Sequence, residues 1–279
     1  MEAVSHELLS RERDLIAHLR AMGSVLVGYS GGVDSTYLAS VALEALGPGS
    51  TLAVLGKSPS VAHVQWRTAI DVANSAGIPL LVVDTHEVDD PRYAANPSNR
   101  CYFCKSELWT TLVPLARERG LAAVVDGTNA DDRGDFRPGA AAAMERAVSS
   151  PLAELRFTKE EIRALSRRRG LPTWSQPSSP CLASRIPYGT EVTPERLRQV
   201  DTAEQALRAL GITGDLRVRF HGELARVELV GAELERWLSP ERHEVLRQAV
   251  ADAGFSRVAL DLRGFRSGSL NVLEGVVAA

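Results

Sequence analysis

The chain has 279 residues, enough for two domains that each bury a core, and a formal net charge of −3 that argues against wrapping nucleic acid through bulk positive charge. A charged N-terminus from Glu2 through Asp14 and the lack of any apolar run of membrane-spanning length point to a cytoplasmic protein without a membrane partner. Three cysteines are an odd number for a disulfide framework, which leaves reactive or metal-binding thiols.

Leu8, Leu9, Leu15, Ile16 and Leu19 recur at helical spacing ahead of Gly23, predicting a helix before the first strand. Val25 to Tyr29 then reads as a strand that breaks at Ser30-Gly31-Gly32 and resumes as a helix from Asp34 to Leu46. Two glycines between strand and helix let several amide N–H groups converge on one anion, and the helix start adds its positive end. Asp34 suits a metal or a loop amide, Ser35 and Thr36 suit phosphate oxygens, and no Gly-Lys-Ser/Thr follows to grip a γ-phosphate.

Alternation continues with a strand at 51–55, a helix at 61–76, a buried strand at 78–84, a helix at 102–119 and a fourth strand at 121–125. Such β-α alternation predicts a parallel sheet whose carboxyl edge gathers Ser30-Gly31-Gly32, Ser58, and the acidic loop Asp126-Gly127-Thr128-Asn129-Ala130-Asp131-Asp132. After Arg137 and an alanine run, Leu152 to Leu155 reads as a fifth strand, and Thr158-Lys159-Glu160-Glu161 as a capping box.

The segment from Pro172 to Gly189 holds four prolines together with Trp174, Cys181 and Tyr188, which suits an ordered loop better than a flexible linker. Beyond it, a helix from Thr193-Pro194 to Gly211, strands at 216–221 and 224–230, a helical region at 232–253 broken at Ser239-Pro240, and a strand at 257–262 describe a smaller α+β unit with an antiparallel sheet. One face of that sheet collects Arg217, Arg219, His221, Arg226, Glu228, Asp261 and Arg263; it is either a solvated face or a site for an anion such as a phosphate. The expected boundaries are 1–175, a connecting loop at 176–190, and 191–279.

Cys101-Tyr102-Phe103-Cys104 stands just before a predicted helix start, a spacing shared by metal knuckles and redox pairs. With Cys181 the chain offers three thiolates, a poor structural zinc set but a suitable one for a [4Fe–4S] cluster with one open iron.

The Ser-Gly-Gly-Val-Asp-Ser-Thr string resembles the PP-loop of the ATP pyrophosphatase superfamily, whose members cleave ATP between the α- and β-phosphates. Joined by Asn-Arg-Cys-Tyr-Phe-Cys-Lys, Asp-Gly-Thr-Asn-Ala-Asp-Asp, Ser-Pro-Cys-Leu-Ala-Ser-Arg-Ile-Pro-Tyr-Gly and Gly264-Phe265-Arg266-Ser267-Gly268-Ser269-Leu270-Asn271, it looks like the LarE family over nearly the whole chain. The resemblance implies an α/β fold, a parallel-sheet PP-loop ATP pyrophosphatase (adenine nucleotide α-hydrolase-like) domain followed by a smaller α+β domain. It implies an ATP-dependent sulfurtransferase that adenylates carboxylates of pyridinium-3,5-biscarboxylic acid mononucleotide and replaces oxygen with sulfur, making the nickel-pincer nucleotide of lactate racemase. Carried onto this sequence, ATP falls to Gly28, Ser30, Gly31, Gly32, Asp34, Ser35, Thr36, Ser58, Thr128 and Asn129, and Mg²⁺ to Asp34 and Asp131. The substrate falls to Arg185, Arg217, Arg219 and Arg226, and catalysis to Asp34 with Cys101, Cys104 and Cys181. In some members a cysteine matching Cys181 gives up its own sulfur, whereas others carry matches to Cys101 and Cys104 and are thought to deliver sulfide from a [4Fe–4S] cluster; this chain has all three. The resemblance also implies a trimer-based homo-oligomer acting on a small-molecule nucleotide. A tRNA thiolase of the same superfamily and a nucleotide-binding regulator without turnover are the rival readings.

Overall fold

The computed structural model describes residues 4–134, 138–177 and 179–266, with no side-chain account for 133, 134 and 138. The expectations that touch Arg137, Ser178 and the Ser267 to Asn271 part of the closing motif lie outside the described residues.

Helix α1 (His6–Met22) starts under a Ser5 cap and leads into β1 (Val25–Tyr29), α2 (Val33–Leu46), β2 (Thr51–Lys57) and α3 (His63–Ser75). Strand β3 (Leu80–Asp84), the single turn α4 (Pro91–Ala94), α5 (Arg100–Glu118) and β4 (Ala123–Asp126) follow, then α6 (Pro138–Glu145), the single turn α7 (Pro151–Glu154) and α8 (Lys159–Arg168). The chain ends its described part with α9 (Pro194–Ala209), β5 (Leu216–His221), β6 (Leu224–Leu229), α10 (Gly231–Trp237), α11 (Pro240–Ala251) and β7 (Arg257–Leu260). Among the described residues no helix is long and apolar enough to cross a membrane.

The first compact unit comprises Met1–Ser58, His63–Glu87 and Asn99–Ser179; the second comprises Pro59–Ala62, Val88–Ser98 and Pro180–Ala279. In the first, four parallel strands run in the order β3-β2-β1-β4. Alternate strand residues go to opposite faces. Val25, Val27 and Tyr29 therefore join one core with Leu15, Leu19, Tyr37, Phe157 and Ile162, whereas Leu26 joins another with Val54, Trp109, Leu112 and Val124. Gly28 belongs to the second face, where a Cβ would fall 2.6 Å from the Trp109 ring. That gives Gly28 a packing reason of its own.

Two strand expectations are corrected. The segment from Leu152 to Leu155 lies in the single turn α7 and its C-cap, not in a fifth strand, because Pro151 is preset for a first helical position and an apolar run this short carries no period to separate strand from helix. Ahead of it, Ser149 comes alongside the sheet in an isolated parallel bridge to Val125. Strand β3 is an edge strand with Val82 37% exposed, so its apolar run does not mark a fully covered strand.

In the second unit, β5 and β6 form an antiparallel hairpin through Gly222 (φ 67°), and β7 pairs with β6 in parallel. The expected antiparallel sheet is thus mixed, since α10 and α11 supply the length a parallel crossover needs. Helix α9 packs on β5 and α11, burying Leu197, Val200 and Leu207 alongside Val218, Leu246 and Val250.

Candidate active site

Strand order places β2 on one side of β1 and β4 on the other, so the loops after β1 and β4 flank the crevice where chain direction across the sheet reverses. Ligands of open parallel sheets sit there. Gly31 takes the left-handed conformation (φ 73°), and a Cβ on it would run into Ala69. Helix α2 starts on Gly32, which has no side chain to cap it, leaving first-turn N–H groups for an anion. Gly127, after β4, comes so close that a Cβ would stand 2.8 Å from the Ser35 nitrogen. Gly31 thus lets the first loop lie against α3, and Gly127 lets the loop after β4 close on the α2 start.

Ser35 holds the turn: the Ser30 N–H donates to its Oγ (3.2 Å), its Oγ donates to the Gly32 carbonyl (3.3 Å), and the two serine hydroxyls are 3.1 Å apart. Thr36 departs from expectation. It is fully buried, with its hydroxyl donating to Tyr29 (3.4 Å) and Tyr29 in turn to the Ala69 carbonyl (3.1 Å), because the helix points this position into the core rather than at the crevice. Asp34 meets the crevice in the first turn of α2. Its Oδ2 is ion-paired with Lys159 Nζ, and its Oδ1 is buried without a hydrogen-bond partner among the described residues.

The loop after β4 is built by its own side chains. Asp126 accepts from the Thr128 N–H (3.1 Å), the Thr128 hydroxyl (2.9 Å) and the Ser150 hydroxyl (2.7 Å). Asn129 Oδ1 accepts from the Asp131 and Asp132 N–H groups at 3.0 and 3.3 Å, while Asp131 Oδ2 accepts from the Lys159 N–H at 2.7 Å. Thr128, Asn129 and Asp131 therefore shape the loop and tie it to α8. Ser58, after β2, donates to Glu87 at 2.5 Å. Lys159 is the residue the sequence reading passed over; its signal was being one of only three lysines, in the first position behind a capping box.

Cys101 and Cys104 lie within the first turns of α5, not before it; Cys101 is exposed and Cys104 half-buried. Residues three apart on a helix are neighbours on one face, so both thiols can turn to one centre. Among the described residues no group of three or more His, Cys, Asp or Glu side chains is positioned to hold a metal ion.

Cys181, in the second unit, is half-buried at the cap of a short 3-10 helix from Leu182 to Arg185. Its carbonyl accepts from the Ser184 N–H (3.0 Å), the Ser184 hydroxyl (2.7 Å) and Arg185 Nη1 (3.0 Å). Asn96 is fully buried and donates to the carbonyls of Ile186, Pro187 and Thr190 at 3.2, 2.7 and 3.0 Å, and the Leu182 N–H donates to the Ser60 carbonyl at 2.8 Å. The proline-rich segment is accordingly a clamped loop.

The polar face of the small sheet is interior in part: Arg217, Arg219 and Glu228 are buried, Arg226 and Asp261 are half-buried, and His221 and Arg263 are exposed. Arg219 donates to Glu228 (2.9 Å) and to the Ser184 carbonyl (2.8 Å), Arg226 pairs with Asp261 (2.7 Å) and Glu228 (3.2 Å), and Arg185 makes a two-pronged pair with Glu204 at 3.0 Å. Arg217 differs: its guanidinium donates to the Leu216 carbonyl (2.7 Å) and lies over the Phe265 ring (5.0 Å), with no carboxylate at ion-pair distance among the described residues. Burial, reinforced by the nearby Arg185 cation, lowers its pKa to about 10.

Comparison with known proteins decides the family. Residues 10–99 match the NAD synthase family. Pyridinium-3,5-bisthiocarboxylic acid mononucleotide synthase of Lactiplantibacillus plantarum is 34% identical over 264 residues, 95% of either chain. The chain belongs to the LarE family. It is an ATP-using sulfurtransferase of the PP-loop class, with the α/β fold that class uses. An uncharacterized protein of Synechocystis is 45% identical over 95% of this chain and 98% of its own. A GMP synthase of Phenylobacterium zucineum is 27% identical over 73% of this chain, which spans 42% of that enzyme.

Proposed function

We propose that this LarE-family chain adenylates the carboxylates of pyridinium-3,5-biscarboxylic acid mononucleotide and exchanges their oxygen for sulfur, in nickel-pincer nucleotide synthesis. A carboxylate is a poor electrophile at neutral pH. Its oxygen attacks the α-phosphorus of ATP, pyrophosphate leaves, and a sulfur nucleophile then expels AMP, which carries off that oxygen. The observation that carries the reading is the uncapped start of α2 at the switch point, with Gly31, Gly32 and Ser35 facing an anion and Asp34 beside them, and no Gly-Lys-Ser/Thr behind. The buried, partnerless Oδ1 of Asp34 fits a Mg²⁺ ligand, because Mg²⁺ takes one or two carboxylates and fills its remaining positions with phosphates and water. When bound, Mg²⁺ offsets charge on the phosphates.

In the second unit, Arg217 is the residue suited to the substrate phosphate: a buried cation with no carboxylate at ion-pair distance among the described residues gains most from an incoming anion. Arg185, Arg219 and Arg226 hold the loop and sheet around it through Glu204, Glu228 and Asp261. For the sulfur source, thiols at 101, 104 and 181 suit a [4Fe–4S] cluster, with Cys101 and Cys104 one turn apart on α5; such a cluster supplies sulfide from its open iron. A trimer-based assembly is part of the same proposal.

The test is purified protein with ATP, Mg²⁺ and the biscarboxylic acid mononucleotide, with nucleotide products and the mass of the organic product followed. AMP, pyrophosphate and a sulfur-for-oxygen mass change are expected. Release of ADP, or turnover abolished by RNase treatment of the substrate pool, would overturn the reading.

A further inference from the structure

Lys159 is fixed at its backbone, and its head rests on a single carboxylate. Its N–H donates to Asp131 Oδ2 at 2.7 Å, and the Thr158 and Glu161 capping box fixes the turn around it. Its side chain is 37% exposed, and the ammonium's one partner among the described residues is Asp34 Oδ2. A fixed root with a flexible four-carbon stem describes a cation able to change partners. At the other end, Asp34 keeps one oxygen open to a further ligand, since among the described residues its buried Oδ1 takes no hydrogen bond.

We infer that Lys159 is a resident counter-ion of Asp34 that keeps a divalent cation from settling there until a nucleoside triphosphate arrives. A dication approaching Oδ1 meets the ammonium on the same carboxylate, and like charges a few ångströms apart repel even at a partly exposed site. Phosphate oxygens laid along the α2 start give the ammonium a second anion to move to. Asp34 is then released to the metal. Metal and nucleotide thereby bind cooperatively, and by linkage each raises the affinity of the other by the same factor. This rests on the assignment of Asp34 to Mg²⁺ made above, and it adds that Lys159 sets the order of loading.

Mn²⁺ titrations followed by electron paramagnetic resonance, with and without an ATP analogue carrying a methylene between the α- and β-phosphorus, test the inference. Wild-type protein should bind Mn²⁺ weakly alone and about tenfold or more tightly with the analogue. Lys159→Met should bind Mn²⁺ alone about tenfold more tightly than wild type, with the analogue's added effect largely gone. Lys159→Arg should keep the wild-type pattern, and Asp34→Ala should bind Mn²⁺ poorly throughout. Thermal unfolding identifies a misfolded variant, and Lys159→Gln is the replacement should Lys159→Met prove to be one. If neutral Lys159 variants fold, bind Mn²⁺ alone as wild type does and keep the full analogue effect, Lys159 is only a brace between α2 and α8 and the inference fails. The underlying reading is tested separately, because its failure would show as absence of AMP and pyrophosphate from wild-type protein.

Discussion

At position 127 a single methyl group decides whether two loops fit together. Gly127→Ala would press a Cβ onto the Ser35 amide, so substrate-dependent pyrophosphate release should fall by at least about two decades, the scale of losing a well-aimed donor, while thermal unfolding moves little. An unchanged rate would show that the α2 start tolerates displacement. For Arg217 the prediction is loss of anion binding: Arg217→Met should weaken the mononucleotide by about one to two decades and spare ATP, as expected when a hydrogen bond to a charged group worth roughly 1.5–3 kcal/mol is removed. Since burial lowers the Arg217 pKa to about 10, the cation is present at neutral pH, and substrate affinity should decline only as pH rises through that value. Calorimetric titration across that range checks the direction. The position of Gly31, Gly32 and Asp34 at the strand-to-helix turn was legible because a paired glycine ahead of an apolar helical pattern marks such a turn. Which way Thr36 turned was not, since neighbouring hydroxyls differ only by a hundred degrees of helix rotation.

Helices α1, α2 and α8 are joined by one buried carboxylate. Glu12 accepts from Arg168 (2.9 Å), Arg169 (2.7 Å) and the Tyr37 hydroxyl (3.2 Å). Burial works against the Arg169 charge, yet Glu12 and Glu44 more than reverse this and hold its pKa above the ordinary value. Glu12→Ala leaves Arg169 without its main partner and should cost about 3 kcal/mol, the low end for breaking a buried pair because Arg168 reaches solvent. Denaturant melts measure this, and a change under about 0.5 kcal/mol would mean that Glu44 alone suffices. Elements with caps or long apolar periods were readable in advance: α8 has its full capping box and α9 its Thr193 cap over Pro194. What escaped were decisions made by neighbours. Strand β3 is partly exposed although its residues are apolar, and β7 runs parallel because two helices precede it, and neither fact is written in those residues.

On the scale of the molecule, the three thiols are divided between the two units, Cys101 and Cys104 in the first and Cys181 in the second. If they serve one cluster, each single Cys→Ser variant should lose iron, acid-labile sulfide and multiple turnover together under anaerobic conditions. Conversion of wild-type Cys181 to dehydroalanine in stoichiometric yield, seen by intact mass, would instead make it the sulfur donor. The second unit carries a consequence for how the protein is made. It is assembled from three separated stretches of chain, and the short early ones hold Ser60 and Asn96, which fasten the Cys181 loop. A nascent chain therefore exports two pieces of its second unit long before the rest exists, and the cysteine loop gains its fastenings only after residue 190 has emerged. Residues 180–279 made alone would lack both anchors, so proteolysis of that fragment should open first between Cys181 and Thr190.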